Sequence, residues 1–519
     1  MDQTTRLLNG SMSLFSLDAH WKAACVSLLR GSFLIGGILG GASGLAQNLA
    51  SPPLPILGMT GASSPQPVME AEGVLVSLVR KANGGTEESA RAQVAEILKA
   101  TPVTMDATFQ KEVESATPVE ANRILGVTLL RTGIPALEKE GMACIEKAIQ
   151  GESALAMELK AQILLEGRFG LEKSIDAAVE LLKTARQLPG ASESHRLLGD
   201  LALSGTGMPK DAAIALEYYR RGAEKGSLSC QLALHRLFRE GRALPKDPIE
   251  AERYGRAAAG TGDAAAAYEL GQFYEQFSGE APEWLRAAEW MRTASERGSL
   301  PATLRLAEYH LEGKLGTVNS TEGIRLLRQA ASLGSGEACF RIGEAYKNGI
   351  HLPQDGVAST AWFRVAADLG DALGENAYGL SLATGVGTRA DPKAAVVWFR
   401  RSAEQGNLDA KVNLGELYRH GVGVERDPAK AQSFFEEAAR AGSPLAAYKL
   451  ADFLSTAADG SAAILEAAFW AGRAAALHQP EATALSDQLR GRLNEAQRTE
   501  LDRRLSETSS PKPAPKPTP

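Results

Sequence analysis

The chain has 519 residues, more than one compact core usually supports, which leaves several domains or one elongated repeat array. Aromatic residues are only 6% and no long β-branched run occurs, which excludes a sheet protein and favours helices throughout. The formal net charge of −6 is spread over interspersed acids and bases with no basic stripe, which excludes nucleic acid as a partner.

In chain order, Lys22 and Arg30 precede an uncharged, Gly-rich apolar stretch from Gly31 to Leu45, and Gly44, Leu45 and Ala46 offer a small-residue cleavage site. Residues 1–46 therefore read as a secretory signal peptide, and a start at Met12 would give it a more ordinary length. Retention as a membrane anchor stays open, because no charge occurs between Gly31 and Met69, although Pro52, Pro53 and Pro55 make a poor spanning helix. A cytoplasmic protein with a misread start is the third reading. Residues 47–67 read as a flexible Pro-rich linker, and residues 68–116 as an N-terminal helical cap with helices over 68–82 and 87–100.

Residues 117–189 read as divergent repeats, and residues 190–478 as a regular array with a 36-residue period. Gly190, Gly226, Gly262, Gly298, Gly334, Gly370, Gly406 and Gly442 mark its register. Asp211, Asp247, Glu283, Asn319, Asp355, Asp391 and Asp427 share that interval and are expected to cap the second helix of each unit, with Pro248, Pro392 and Pro428 at its first helical position. The recurring glycine closes that helix in a left-handed conformation. Gly205, Gly241, Gly313, Gly349, Gly385 and Gly421 end the first helix. A small column, Gly199, Gly271, Ala307, Gly343, Gly379, Gly415 and Ala451, is expected to let the two helices approach closely, with His235 as its exception. A bulky column, Tyr218, Tyr254, Trp290, Leu326, Trp362, Trp398, Phe434 and Trp470, is expected to pack the repeats together. Helices over 481–492 and 495–506 form C-terminal caps within residues 479–507, joined at Asn494 with Gln497 in a capping-box arrangement. Residues 508–519 read as a disordered Pro-rich tail.

The segment AKVNLGELYRHGVGVERDPAKAQSFFEEAARAG, from Ala410 to Gly442, resembles the Sel-one-like repeat, a tetratricopeptide-related helical hairpin, and Asp371 to Gly406 resembles it almost as closely. The resemblance covers about ten repeats from Thr117 to Leu477. It implies an all-α, right-handed solenoid superhelix of stacked antiparallel helix pairs, whose concave surface is lined by the first helices and binds protein partners. It further implies a non-catalytic scaffold or adaptor, exported members of the family serving in the bacterial envelope.

On that expectation, the polar first-helix residues Arg236, Arg239, Gln272, Glu275, Glu308, His310, Glu344, Lys347, Glu416, Arg419 and His420 are candidates for partner binding. A structural spacer or tether is the alternative. A β-lactam hydrolase is the third reading, by analogy with cysteine-rich relatives, and it lacks support here. Cys25, Cys144, Cys230 and Cys339 form no pairs within the repeats, no supporting acyl-enzyme motif is recognisable, and the seven histidines have no metal-ligand spacing. No cofactor is expected, the cysteines read as small buried residues, and a membrane enters only if residues 1–46 are retained.

Overall fold

The computed structural model describes residues 68–100, 107–191, 193–276, 283–457 and 461–509. The proposed signal peptide and linker and residues 510–519 of the tail lie outside them, while residues 508 and 509, expected in the disordered tail, end the helix Glu495–Ser509. All regular structure among the described residues is helical. The chain divides into two compact units, whose described parts are residues 68–299 and 300–509. Each holds five antiparallel helical hairpins, one unit preceded by three helices from Val68–Asn83 to Ala107–Ser115, the other followed by Ala482–Gly491 and Glu495–Ser509.

The hairpin Leu408–His420 and Pro428–Arg440 shows how local chemistry sets the ends. Asn407 accepts a hydrogen bond from the Ala410 N–H, so the first helix begins with an orphan donor satisfied. Gly421 ends it, and Val422 N–H returns to the Leu417 carbonyl. After the loop, Asp427 N–H bonds the Tyr418 carbonyl while its carboxylate accepts from Lys430 N–H, and Pro428 occupies the first helical position. Asp211, Asp247, Asn319, Asp355 and Asp391 cap in the same way, each worth about 1 kcal/mol. Glu283 does not. Its side chain makes no cap bond and instead lies 3.0 Å from Arg286.

The eight ladder glycines all have positive φ, from 80° to 99°. The seven from Gly226 to Gly442 stand two residues past the last residue of a second helix, and at five of these junctions the residue after the glycine does two jobs that the sequence pattern did not reveal. Ser443 N–H bonds the Ala438 carbonyl, closing one helix, while Ser443 Oγ accepts from Ala446 N–H, opening the next. Ser227, Ser335, Asp371 and Asn407 repeat this arrangement. At these five junctions no linker separates one repeat from the next.

Inside each hairpin, a large side chain on the second helix fills the slot left by a small residue on the first. A Cβ added to Gly415 would lie 2.4 Å from Phe435, one on Gly343 2.6 Å from Phe363, and one on Gly199 2.4 Å from Tyr219. These rings stand one residue after the bulky column picked out from sequence and form a second column that the sequence reading did not name. One residue turns a helix by about 100°, so Phe435 points into the hairpin seam. Phe434 instead stacks on Tyr418 of its own hairpin at 5.7 Å between centroids, and Trp398 meets Tyr378 edge to face. His235 obeys the same volume rule in reverse: the position opposite it is Gly255, where an added Cβ would meet the imidazole at 2.7 Å.

Both ends are covered. Leu75, Leu78, Val94 and Ile97 share one core with Leu125 and Leu129 of the first hairpin, and Leu489, Leu493 and Leu501 share another with Ala467, Trp470 and Ala471 of the last. These terminal helices shield apolar faces that stacking leaves open. Asn494 and Gln497 make the reciprocal bonds of a capping box. Cys144, Cys230 and Cys339 are buried free thiols, and no helix among the described residues is long and apolar enough to cross a membrane.

Candidate partner-binding face

The first helices present a row of polar side chains, and the structure shows what holds that row in place. Arg236 on Leu228–Glu240 reaches across to Glu269 on Ala264–Gln276, its Nε 2.9 Å from Oε2. Glu308 on Leu300–Glu312 accepts from Arg305 of its own helix at 2.7 Å and from Arg341 of the next repeat at 2.5 Å. Arg341 also holds Glu337 at 2.7 Å. Burial alone would raise the Glu308 carboxyl, but Arg341 and Arg305 outweigh it and hold the group below its ordinary range.

The densest cluster is at Leu408–His420 and Pro444–Ala457. Glu416 is only 4% exposed, yet it stays ionised because Lys449 Nζ lies 2.9 Å away and His420 Nε2 3.3 Å away. Burial pushes this carboxyl up, but His420, Lys449 and Arg419 together bring it down to about 2. Arg419 itself bridges to Asp452 at 2.8 Å. Breaking a buried pair such as Glu416 and Lys449 costs about 3–5 kcal/mol, whereas exposed pairs such as Arg236 and Glu269 contribute about 0–1 kcal/mol. Arg239 lies half-buried, 3.7 Å from Glu240. Gln272, Glu275, His310, Glu344 and Lys347 are also half-buried.

Four of the sequence candidates, Arg236, Glu308, Glu416 and Arg419, thus hold neighbouring repeats together as well as lining the face. Their partners Glu269, Arg341, Lys449 and Asp452 were not among the candidates. A sequence signal for them exists: each pair is separated by 33 residues, one repeat less nearly one helical turn. The first helices are also joined by an amide pair, Asn413 Nδ2 to Asn376 Oδ1 at 2.9 Å. Among the described residues no group of histidine, cysteine or carboxylate side chains is arranged to hold a metal.

These features define an α-solenoid of helical hairpins whose first helices carry polar side chains, several of them paired across neighbouring repeats. The Sel1 repeat model matches residues 152–188, 192–227, 230–263, 264–299, 300–335, 336–371, 372–407 and 408–443, more than half of the chain. The chain belongs to the Sel1 repeat family. It is 31% identical over 129 residues to the human protein sel-1 homolog 2, a match spanning 24% of this chain and 18% of that protein's length. The structure of a protective antigen of uropathogenic Escherichia coli, described as displaying an SLR fold, superposes with a TM-score of 0.50 at 19% identity, over 86% of this chain and 99% of that one. A Sel1 repeat protein from Oxalobacter formigenes gives a TM-score of 0.49 at 26% identity, covering 63% and 92%.

Proposed function

We propose that this protein is a non-catalytic scaffold that is exported to the cell envelope and binds protein partners along its first-helix face. The carrying observation is the cross-repeat lattice of Arg236, Glu308, Arg341, Glu416, Arg419 and their partners. It fixes a polar surface before any partner arrives, which lowers the ordering cost of association. Membership of a repeat family that typically mediates protein–protein interaction supports the same reading. The charge-poor apolar stretch Gly31–Leu45 with the small residues Gly44 to Ala46 supports export.

Affinity purification of the full chain from its native host after crosslinking, with mapping of the crosslinked residues and N-terminal sequencing, tests both parts. Crosslinks concentrated on the first helices and a mature chain beginning near Gln47 are expected. Crosslinks confined to the second helices would refute face binding, and an intact Met1 or Met12 terminus would refute cleavage.

A further inference from the structure

Within residues 300–509 the cross-repeat lattice breaks at one first helix. Across Leu300–Glu312, Gly336–Asn348, Leu408–His420 and Pro444–Ala457, the face carries charges held in pairs. The helix between, Ala372–Thr384, instead presents Leu373, Ala377 and Leu380 at the equivalent positions. Leu373 is 50% exposed, while Ala377 and Leu380 are half-buried. By the 33-residue rule, the partner position for Glu344 is Ala377, and the position preceding Asp409 is Asn376, whose oxygen is already taken by Asn413. Neither neighbour can neutralise a carboxylate.

The consequence is visible at both acids. Among the described residues, neither the Glu344 nor the Asp409 carboxylate makes a hydrogen bond or ion pair, though both are half-buried. Burial raises both carboxyls. At Glu344 the charges of Lys347 and Arg341 offset part of that rise, and at Asp409 no charge offsets it. An apolar floor therefore lies between two half-buried carboxylates, neither of which is paired.

From this break we infer that the face spanning Gly336–His420 is a docking site for a peptide segment carrying two basic side chains with apolar residues between them. The occupant is set by charge complementarity: a cation supplies what Glu344 and Asp409 lack, and apolar side chains cover Leu373, Ala377 and Leu380. The two acids stand two repeats apart, and first helices packed about 10 Å apart place them roughly 20 Å from each other. An extended segment covers that span in about six residues. This inference rests on the reading of the first-helix face as the binding surface and adds the chemistry of what binds there.

The test uses the full chain and fluorescein-labelled peptides in an anisotropy titration. SKSLSLSKS, whose lysines and leucines share one side of an extended segment, is expected to bind, while SESLSLSES and SKSSSSSKS are expected not to. The variant Glu344→Gln/Asp409→Asn should weaken SKSLSLSKS binding by about tenfold per carboxylate, with thermal unfolding unchanged or raised, because it removes half-buried charges that have no partner. Ala377→Lys gives a second arm: it supplies the missing partner for Glu344 in cis, so it should raise thermal stability and abolish peptide binding together. Absence of SKSLSLSKS binding, equal binding by the double variant, or equal binding of SESLSLSES overturns the inference. A photoreactive group on the peptide separates the two levels. Labelling within 336–420 supports the site, labelling on other first helices overturns it while leaving face binding intact, and labelling confined to second helices overturns both.

Discussion

The hairpins Leu228–Glu240/Pro248–Gly260 and Leu408–His420/Pro428–Arg440 solve the same packing problem from opposite sides. In the later one, Gly415 receives Phe435, which is fully buried. In the earlier one, His235 is the large partner and Gly255 the small one. What the seam requires is a summed volume, filled once, and either helix can supply it. The two solutions differ chemically. Phe435 asks nothing of its surroundings, whereas His235 is a fully buried imidazole with Nδ1 2.7 Å from the Ala251 carbonyl and its ring edge to face with Phe273 at 5.4 Å.

The largest effect that separates them comes from emptying the apolar seam. Phe435→Ala should cost about 3–5 kcal/mol in urea unfolding, because the backbone around Gly415 cannot collapse onto the void without moving the whole helix. A loss under about 1 kcal/mol would mean that the seam is not close-packed.

Exchanging the two solutions gives the next effect. Gly255→Phe alone should overpack the earlier seam and cost about 1–3 kcal/mol, since its ring would occupy the imidazole's space. His235→Gly alone leaves the void unfilled. Together they restore the common arrangement, and a double-mutant cycle should show at least about 1 kcal/mol of favourable coupling. Additive losses would show that the histidine is held for its polar bond and not for its volume.

Acid is the mildest probe of the comparison. Burial lowers the His235 pKa below its ordinary 6.5, and burial likewise lowers that of His195 in the preceding repeat. A base whose folded pKa is depressed contributes stability that is complete above 6.5 and is lost as the pH falls from there through the folded value. Glu416 has its folded pKa lowered from 4.5 to about 2, so its contribution is complete above 4.5 and is lost only as the pH falls from there toward 2. Hydrogen exchange followed down the pH scale should therefore show protection lost first across 194–260 and later across 408–457. Simultaneous loss, or the reverse order, would contradict these assignments.

The legible and illegible parts of the molecule differ in kind. The ladder glycines and the caps Asp211, Asp247, Asp355, Asp391 and Asp427 could be read from sequence because a positive φ or an orphan N–H has few residue solutions, and these recur at a fixed interval. Glu283 shares the interval but not the capping bond. The seam rings Tyr219, Phe363, Phe399 and Phe435 were not legible in the sequence because Gly255, Met291, Leu327 and Ala471 interrupt their column, so no unbroken aromatic period marks it. The lattice of the first-helix face was hidden for another reason. Pairs such as Arg419 and Asp452 depend on how one hairpin is tilted on the next, a quantity absent from the pattern within a single repeat. The positions of Arg236, Glu308, Glu416 and Arg419 on that row were readable, but their partners were not.

The second loop glycines carry a further consequence. A Cβ on Gly423 would lie 2.3 Å from the carbonyl oxygen of Pro392 in the preceding repeat, and one on Gly387 1.9 Å from that of Gly356. At these points one repeat rests on its predecessor main chain to main chain. A copy excised or duplicated whole re-forms it, while a fractional insertion moves the glycine off its seat. The 36-residue unit is thus the quantum in which the length of such a chain can change during descent, leaving the polar row free to diversify one step at a time.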